Sequence, residues 1–119
     1  SSTYKSTVDA YDSSLTRSTP TVLSYSRSSL AGASVGNYAL FAGGQIDSSY
    51  SAKVDAYDSS LTRSTPTALS TARSHLAGAS VGNYALFAGG ITITNGSIES
   101  TVNAYERPHI SIPAQKIYL

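Results

Sequence analysis

Few side chains in this sequence could carry chemistry, and their contexts argue against catalysis. His75 and His109 are the candidates for acid–base or metal chemistry, but the chain has no cysteine to complete a ligand set. Serine is abundant, yet none lies in a Gly-x-Ser-x-Gly nucleophile motif. Gly43-Gly44 is not followed by the lysine and hydroxyl residue of a phosphate-binding loop. We therefore predict a protein that is not an enzyme, with no metal and no cofactor.

The charged residues repeat along the chain instead of forming one centre. Four charged residues recur 46 residues later: Asp9, Asp12, Arg17 and Arg27 correspond to Asp55, Asp58, Arg63 and Arg73. Because every unit carries the same set, we interpret these residues as structural. Their simplest role is to hydrogen-bond turn backbones.

The repetition covers most of the sequence. Residues 8–44 and 54–90 differ at only four of 37 aligned positions: Val22/Ala68, Tyr25/Thr71, Ser26/Ala72 and Ser29/His75. A third, partial copy begins with VNAY at 102–105. Repeats of roughly 20–50 residues are typical of solenoids, propellers and arrays, in which each unit buries apolar surface against its neighbours.

Composition limits the possible partners. The net charge is +1 and 13% of residues are charged, so the chain has no basic footprint for nucleic acid or an anionic membrane. Hydrophobic residues make up 40% of the chain, which argues against disorder. No apolar stretch approaches the roughly 20 residues needed to span a bilayer. The 35 serines and threonines suit a surface-exposed or extracellular protein, although the sequence does not fix the compartment.

The repeated unit contains four short predicted strands, A to D, at 30–36, 38–44, 52–58 and 62–67. Strand A consists of small residues, and strand B carries the larger Tyr38, Leu40 and Phe41. Strand C alternates with a period of two, which is typical of a strand with two different faces. Pro66 confines strand D to an edge. Glycine, asparagine and serine between these runs supply turns, and no window has a helical period.

Four strands per unit predict an all-β fold of β-propeller blades, each a sheet of four antiparallel strands. The small residues of strand A suit the crowded centre of a ring. We divide the chain into a partial blade at 1–21 (strands C and D), a full blade at 22–67, a blade at 68–106 (strands A, B and C), and a tail or edge strand at 107–119. About 2.5 blades cannot close a ring, so other copies of the chain or a longer parent chain must complete it.

The unit resembles the kelch repeat. Its double glycine after an aromatic-apolar strand, Gly43-Gly44, is followed by Tyr57-Asp58, and Tyr11-Asp12 and Tyr105-Glu106 flank them. The arginines before strand A are similar to the arginine of that family. The sequence departs from the family at its tryptophan, which is serine at 18 and 64. The resemblance covers about residues 4–106. It implies a β-propeller with a binding or scaffolding role, although a minority of relatives, similar to galactose oxidase, are copper enzymes.

Binding residues are expected where the units differ, because variable loops on a repeated scaffold are common binding sites. We predict a ligand-binding surface, for a glycan or a protein, at Tyr25, Ser29, Tyr50, His75 and Asn95. Asn95-Gly96 also suits the turn of a small hairpin within ITITNGSI.

Three functional hypotheses follow. The first is a non-enzymatic kelch-like propeller segment that acts as an assembly or binding scaffold, such as a surface or phage tail-fibre adhesive module. The second is an engineered or excised repeat fragment that assembles into a propeller without a ligand. Near-identity of the units and the absence of methionine favour it. The third is a fragment of a propeller enzyme.

Overall fold

The computed structural model describes residues 4–46, 48–92 and 98–106, in which every regular element is a β-strand. None of these ranges contains a helix long and apolar enough to cross a membrane. The strands are β1 (Ala10–Tyr11), β2 (Arg17–Ser18), β3 (Ala31–Val35), β4 (Tyr38–Ala42), β5 (Gln45–Ile46), β6 (Ser49–Tyr50), β7 (Val54–Tyr57), β8 (Arg63–Ser64), β9 (Ala77–Val81), β10 (Tyr84–Ala88) and β11 (Val102–Glu106).

The strands form antiparallel sheets, which confirms the all-β prediction. One sheet has four strands in the order β3-β4-β7-β8, as predicted for strands A to D of one unit. A second has three strands in the order β11-β10-β9, and the pairs β1-β2 and β5-β6 form two small sheets. The described part of the chain forms no closed ring or barrel of sheets.

The β3–β4 hairpin shows why the repeated sequence folds in this way. Val35 pairs with Tyr38 across the two-residue turn Gly36-Asn37. Gly36 has a φ of 56°, a conformation that glycine adopts without the clash of a Cβ atom. The same hairpin recurs as β9–β10, where Val81 pairs with Tyr84. The turn therefore fixes the register of both sheets.

Two local predictions differ from the structure. Strands C and D of the partial blade predicted at 1–21 are the two-residue strands β1 and β2, which within the described residues pair only with each other. The connection after β4 contains an extra hairpin, β5–β6, because Gln45 pairs with Tyr50 and Ile46 with Ser49. The hairpin predicted around Asn95 and the tail at 107–119 lie outside the described residues.

The core lies between the two larger sheets. Directly opposite residues of neighbouring strands point to the same side, so each sheet has two faces. We name the faces of the four-stranded sheet the Leu40 face and the Phe41 face, and those of the three-stranded sheet the Leu86 face and the Phe87 face. The Leu40 face packs on the Phe87 face, and the buried cluster at this junction includes Val35, Leu40, Ala42, Val54, Ala56, Ala85, Phe87 and Tyr105.

The junction is closest where β9 crosses β3. A Cβ atom built on Gly78 would lie 2.4 Å from the carbonyl oxygen of Gly32. No side chain fits in that space, so glycine at position 78 sets the separation of the two sheets.

Candidate functional site

The structure brings two of the predicted binding residues together. Ser29 Oγ lies 3.4 Å from His75 Nε2, and Ser74 Oγ lies 3.0 Å from His75 Nδ1. Ser29 and His75 occupy the same position of successive units, and both have a φ of 56°. The contact therefore joins the segment between β2 and β3 to the segment between β8 and β9 at the surface.

The other predicted binding residues lie apart from this pair. Tyr25 is exposed, and Lys53 Nζ lies 5.2 Å from the centre of its ring, within the range of a cation–π contact. Tyr50 is half-buried in β6, and Asn95 lies outside the described residues. No hydrogen bond or ring contact joins either tyrosine to the Ser29–His75 pair. Within the described ranges there is no pocket and no cluster of three potential metal ligands.

A buried ionic network attaches the segment between β2 and β3 to the four-stranded sheet. Arg27 Nη1 donates to Asp55 Oδ2 at 3.1 Å, and both side chains are fully buried. The guanidinium also donates to the carbonyl oxygens of Gly43 and Phe41. Asp55 Oδ2 further accepts hydrogen bonds from the backbone N–H and the hydroxyl of Ser24. Such a pair is tolerated in a core because most of its donors are satisfied.

The second unit repeats this network without its carboxylate. Asn103 takes the place of Asp55, and its Oδ1 accepts from the N–H and hydroxyl of Ser70. Arg73 is fully buried and Nη2 donates to the carbonyl oxygen of Phe87, but Nε and Nη1 have no partner among the described residues. Burial lowers the pKa of Arg73 because the charged guanidinium is removed from water. Glu99 favours the charged form electrostatically, but the described residues place no carboxylate in contact with this guanidinium as Asp55 is with Arg27.

A buried tyrosine joins each of the two larger sheets to the connection that precedes it. Tyr57 donates its hydroxyl to the carbonyl oxygen of Thr21 at 2.6 Å, and Tyr105 donates to Thr67 at 2.7 Å. Burial raises the pKa of both phenols, since the phenolate would be poorly solvated there. These tyrosines are neutral hydrogen-bond donors that connect neighbouring units.

The structural interpretation of the repeated aspartates is confirmed at the turns. Asp12 Oδ1 accepts from the backbone N–H groups of Ser14 and Thr16, each at 2.9 Å. Asp58 Oδ1 makes the same two contacts with Ser60 and Thr62. Both aspartates therefore order the turn between strands C and D of their unit.

Identical sequences differ in exposure, and the difference identifies open surfaces. β3 and β9 are both AGASV, yet Val35 is 2% exposed and Val81 is 58% exposed. β4 and β10 are both YALFA, yet Ala39 is exposed and Ala85 is fully buried. Each residue is buried where another sheet covers it. Within the described residues, the β9 side of the Leu86 face and the β3–β4 half of the Phe41 face are therefore exposed.

Sequence reasoning missed the buried network because it treated each charged residue separately. The signal was present in the aligned strand C positions, which read Asp9, Asp55 and Asn103, while an arginine precedes both Asp55 and Asn103, as Arg27 and Arg73. A change from acid to amide opposite a constant arginine indicates a charge pair that one unit lacks.

Comparison with known proteins leaves the family open and supports the fold. No family model and no curated protein matches the chain. Among solved structures, 97 chains match. One, described as "Structure of YjhT", has a TM-score of 0.69 at 15% sequence identity, and the match covers 82% of this chain and 34% of that one. At this identity the similarity shows the fold alone, and the chain spans about a third of that protein's length.

Proposed function

We propose that the chain is a segment of a kelch-like β-propeller that acts as a non-enzymatic assembly and binding scaffold. Its sheets are wedge-like units that gain stability when other units cover their faces, and its partners are further units of the same kind. The near-identity of the repeats favours a scaffold over a fragment of a propeller enzyme. An active site would require residues that differ between units and converge in space.

The observation that carries this proposal is the unequal burial of identical strands. Val35 and Val81 have the same sequence surroundings, so their different exposure reflects only whether another sheet is present. Burying an aliphatic side chain contributes about 1.5–3 kcal/mol. The exposed β9 side of the three-stranded sheet, which includes Val81, would consequently gain stability from a neighbouring sheet.

Lengthened chains test the proposal. One or two further copies of residues 22–67, inserted after Thr67, add four-stranded sheets that are covered on both faces. In such an array stability is a sum of unit and interface terms, so the urea midpoint and the cooperativity of unfolding should rise with each copy. The control is an insert of the same residues in shuffled order.

The proposal is wrong if an added copy unfolds in a separate transition at an unchanged midpoint. Binding is tested separately on a glycan array and by partner capture, with Tyr25→Ala against the wild type. Tyr25 is the matched choice because its ring is exposed and its counterpart in the next unit is Thr71.

A further inference from the structure

The two ends of the described chain carry nearly the same strand. Residues 6–12 read STVDAYD and residues 100–106 read STVNAYE, so five of the seven positions are identical. β11 lies within the second segment and pairs with β10. β1 lies within the first segment and pairs only with β2. Each strand thus has one paired neighbour among the described residues: β11 has the strand that precedes it in its unit, and β1 has the strand that follows it.

The β1–β2 hairpin sits where the outer half of a preceding sheet belongs. Leu23 N donates to the carbonyl oxygen of Ser6, as Leu69 N donates to Ala52. Arg27 N donates to Lys5, as Arg73 N donates to Ser51. The hairpin is therefore placed against the four-stranded sheet as β7 and β8 are placed against the three-stranded sheet. The described residues contain no strands A and B to complete the β1–β2 hairpin. The three-stranded sheet has strands A, B and C, and the described residues contain no strand D for it.

Charge distinguishes the two nearly identical strands. Asp9 of the first strand is exposed, and within the described residues it has no hydrogen bond or ionic partner. Asn103 of the second strand is buried at the position equivalent to Asp55, and Arg73 Nε and Nη1 have no partner among the described residues. In the complete unit, the equivalent positions form the Arg27–Asp55 pair. Asp9 therefore offers a carboxylate on a strand that pairs on one side only within the described residues.

We infer that β1 of one copy replaces β11 of another, so that β9 and β10 of the first copy join β1 and β2 of the second in a composite four-stranded sheet. The inference rests on the proposed function and names its partner, which is a second copy of this chain. In the register of β11, Asp9 of the second copy lies opposite Phe87, within reach of Arg73 and Ser70. Tyr11, which is 63% exposed in the single chain, takes the place of Tyr105 and donates to Thr67.

The exchange is favourable because it conserves pairing and adds contacts. Residues 6–12 match residues 100–106 at five of seven positions, so β1 can form the same backbone hydrogen bonds with β10 that β11 forms. The exchange adds β2 as a fourth strand, a buried carboxylate beside Arg73, and cover for the inner half of the Phe41 face. These gains oppose the loss of translational freedom on association.

Sedimentation of single-residue variants over a concentration series tests the inference. Asp9→Asn removes the carboxylate from the incoming strand, and we expect it to weaken self-association by about tenfold or more, the value of a hydrogen bond to a charged group. Asn103→Asp gives Arg73 a carboxylate within its own chain, so it should also weaken association. The dilute monomer should melt at an unchanged temperature in Asp9→Asn and at a higher temperature in Asn103→Asp. A wild-type chain that stays monomeric at every concentration overturns the inference, as does association of Asp9→Asn with wild-type affinity.

Disulfide trapping tests the register, because the chain has no cysteine of its own. Val102 lies opposite Ala88 in the present sheet, and Val8 takes its place after exchange. A mixture of an Ala88→Cys chain and a Val8→Cys chain should form the mixed disulfide under mild oxidation. The control is Thr7→Cys, which is more exposed but points to the other face. Equal trapping of the two cysteine positions would mean that the chains associate elsewhere, and would also overturn the inference.

These outcomes are independent of the lengthened-chain experiment. If added units stabilise the array but wild-type chains remain monomeric, the scaffold proposal stands and the exchange between copies is wrong. The neighbour of β1 would then lie in the same polypeptide. Added units that do not stabilise the chain would reject the scaffold proposal, whatever the variants do.

Discussion

The carboxylate of Asp55 shows how much a single buried charge can matter in a small sheet protein. Asp55 neutralises Arg27, and the two groups are fully buried at a separation of 3.1 Å. Removing one member of such a pair leaves the other charge without compensation, which costs far more than a pair at the surface contributes. The aspartate at the matched position of the first unit, Asp9, is exposed and makes no such pair.

Asp55→Asn is therefore expected to lower the free energy of unfolding by about 3–5 kcal/mol, because it strands the Arg27 guanidinium in the core. Urea denaturation of dilute protein measures the change. Asp9→Asn is the matched control and should leave the unfolding free energy of the monomer within about 0.5 kcal/mol of the wild type. Equal effects of the two substitutions would show that the Arg27–Asp55 contact contributes no more than an exposed carboxylate.

At the scale of elements, the turn between strands C and D stores backbone strain. Leu61 has a φ of 63° and Leu15 has a φ of 62°, in the left-handed region that residues with a Cβ atom rarely adopt. The neighbouring Asp58 and Asp12 hold these turns through two backbone N–H groups each. The aspartate contacts thus offset the strain at the leucine.

Leu61→Gly and Leu61→Ala separate this strain from the contribution of the side chain. Both remove the leucine, but only glycine relieves the left-handed conformation, which costs about 1–2 kcal/mol for other residues. We expect the glycine variant to be more stable than the alanine variant by about 1 kcal/mol in thermal or urea unfolding. A difference of zero, or a more stable alanine variant, would show that the turn relaxes when the leucine is removed.

The sequence predicts the elements of this fold well where the repeats are complete. The period of two in strand C, the Gly36-Asn37 turn and the small residues of strand A place β3, β4 and β7 within two residues of their observed bounds. The extra hairpin β5–β6 was not predicted, nor was the shortening of β1 and β2 to two residues each, because both depend on which neighbours a segment meets. Burial could not be predicted for the same reason, since Val35 and Val81 have identical local sequences and opposite exposure.

At the scale of the whole molecule, one sheet-to-sheet junction is the template for the others. The Leu40 face of the four-stranded sheet packs on the Phe87 face of the three-stranded sheet. The exposed surfaces lie on the equivalent faces, which are the Leu86 face and the Phe41 face. A new junction formed by a second copy would therefore repeat the geometry already present inside the chain. Such an interface would be head-to-tail, because two different faces would meet.

Two glycines at equivalent positions distinguish the junction inside the chain from the junction between copies. A Cβ atom at Gly78 would lie 2.4 Å from the Gly32 carbonyl oxygen, whereas one at Gly32 would meet only the edge of the Phe41 ring at 3.3 Å. Gly78→Ala should therefore destabilise the single chain by about 1–3 kcal/mol, because the clash is with backbone. Gly32→Ala should leave the dilute monomer close to wild type, since a ring edge can shift by a few tenths of an ångström. In the proposed assembly, Gly32 would face the next copy as Gly78 faces Gly32, so Gly32→Ala should abolish association as measured by sedimentation. Assembly of Gly32→Ala with wild-type affinity would show that copies do not stack through these faces.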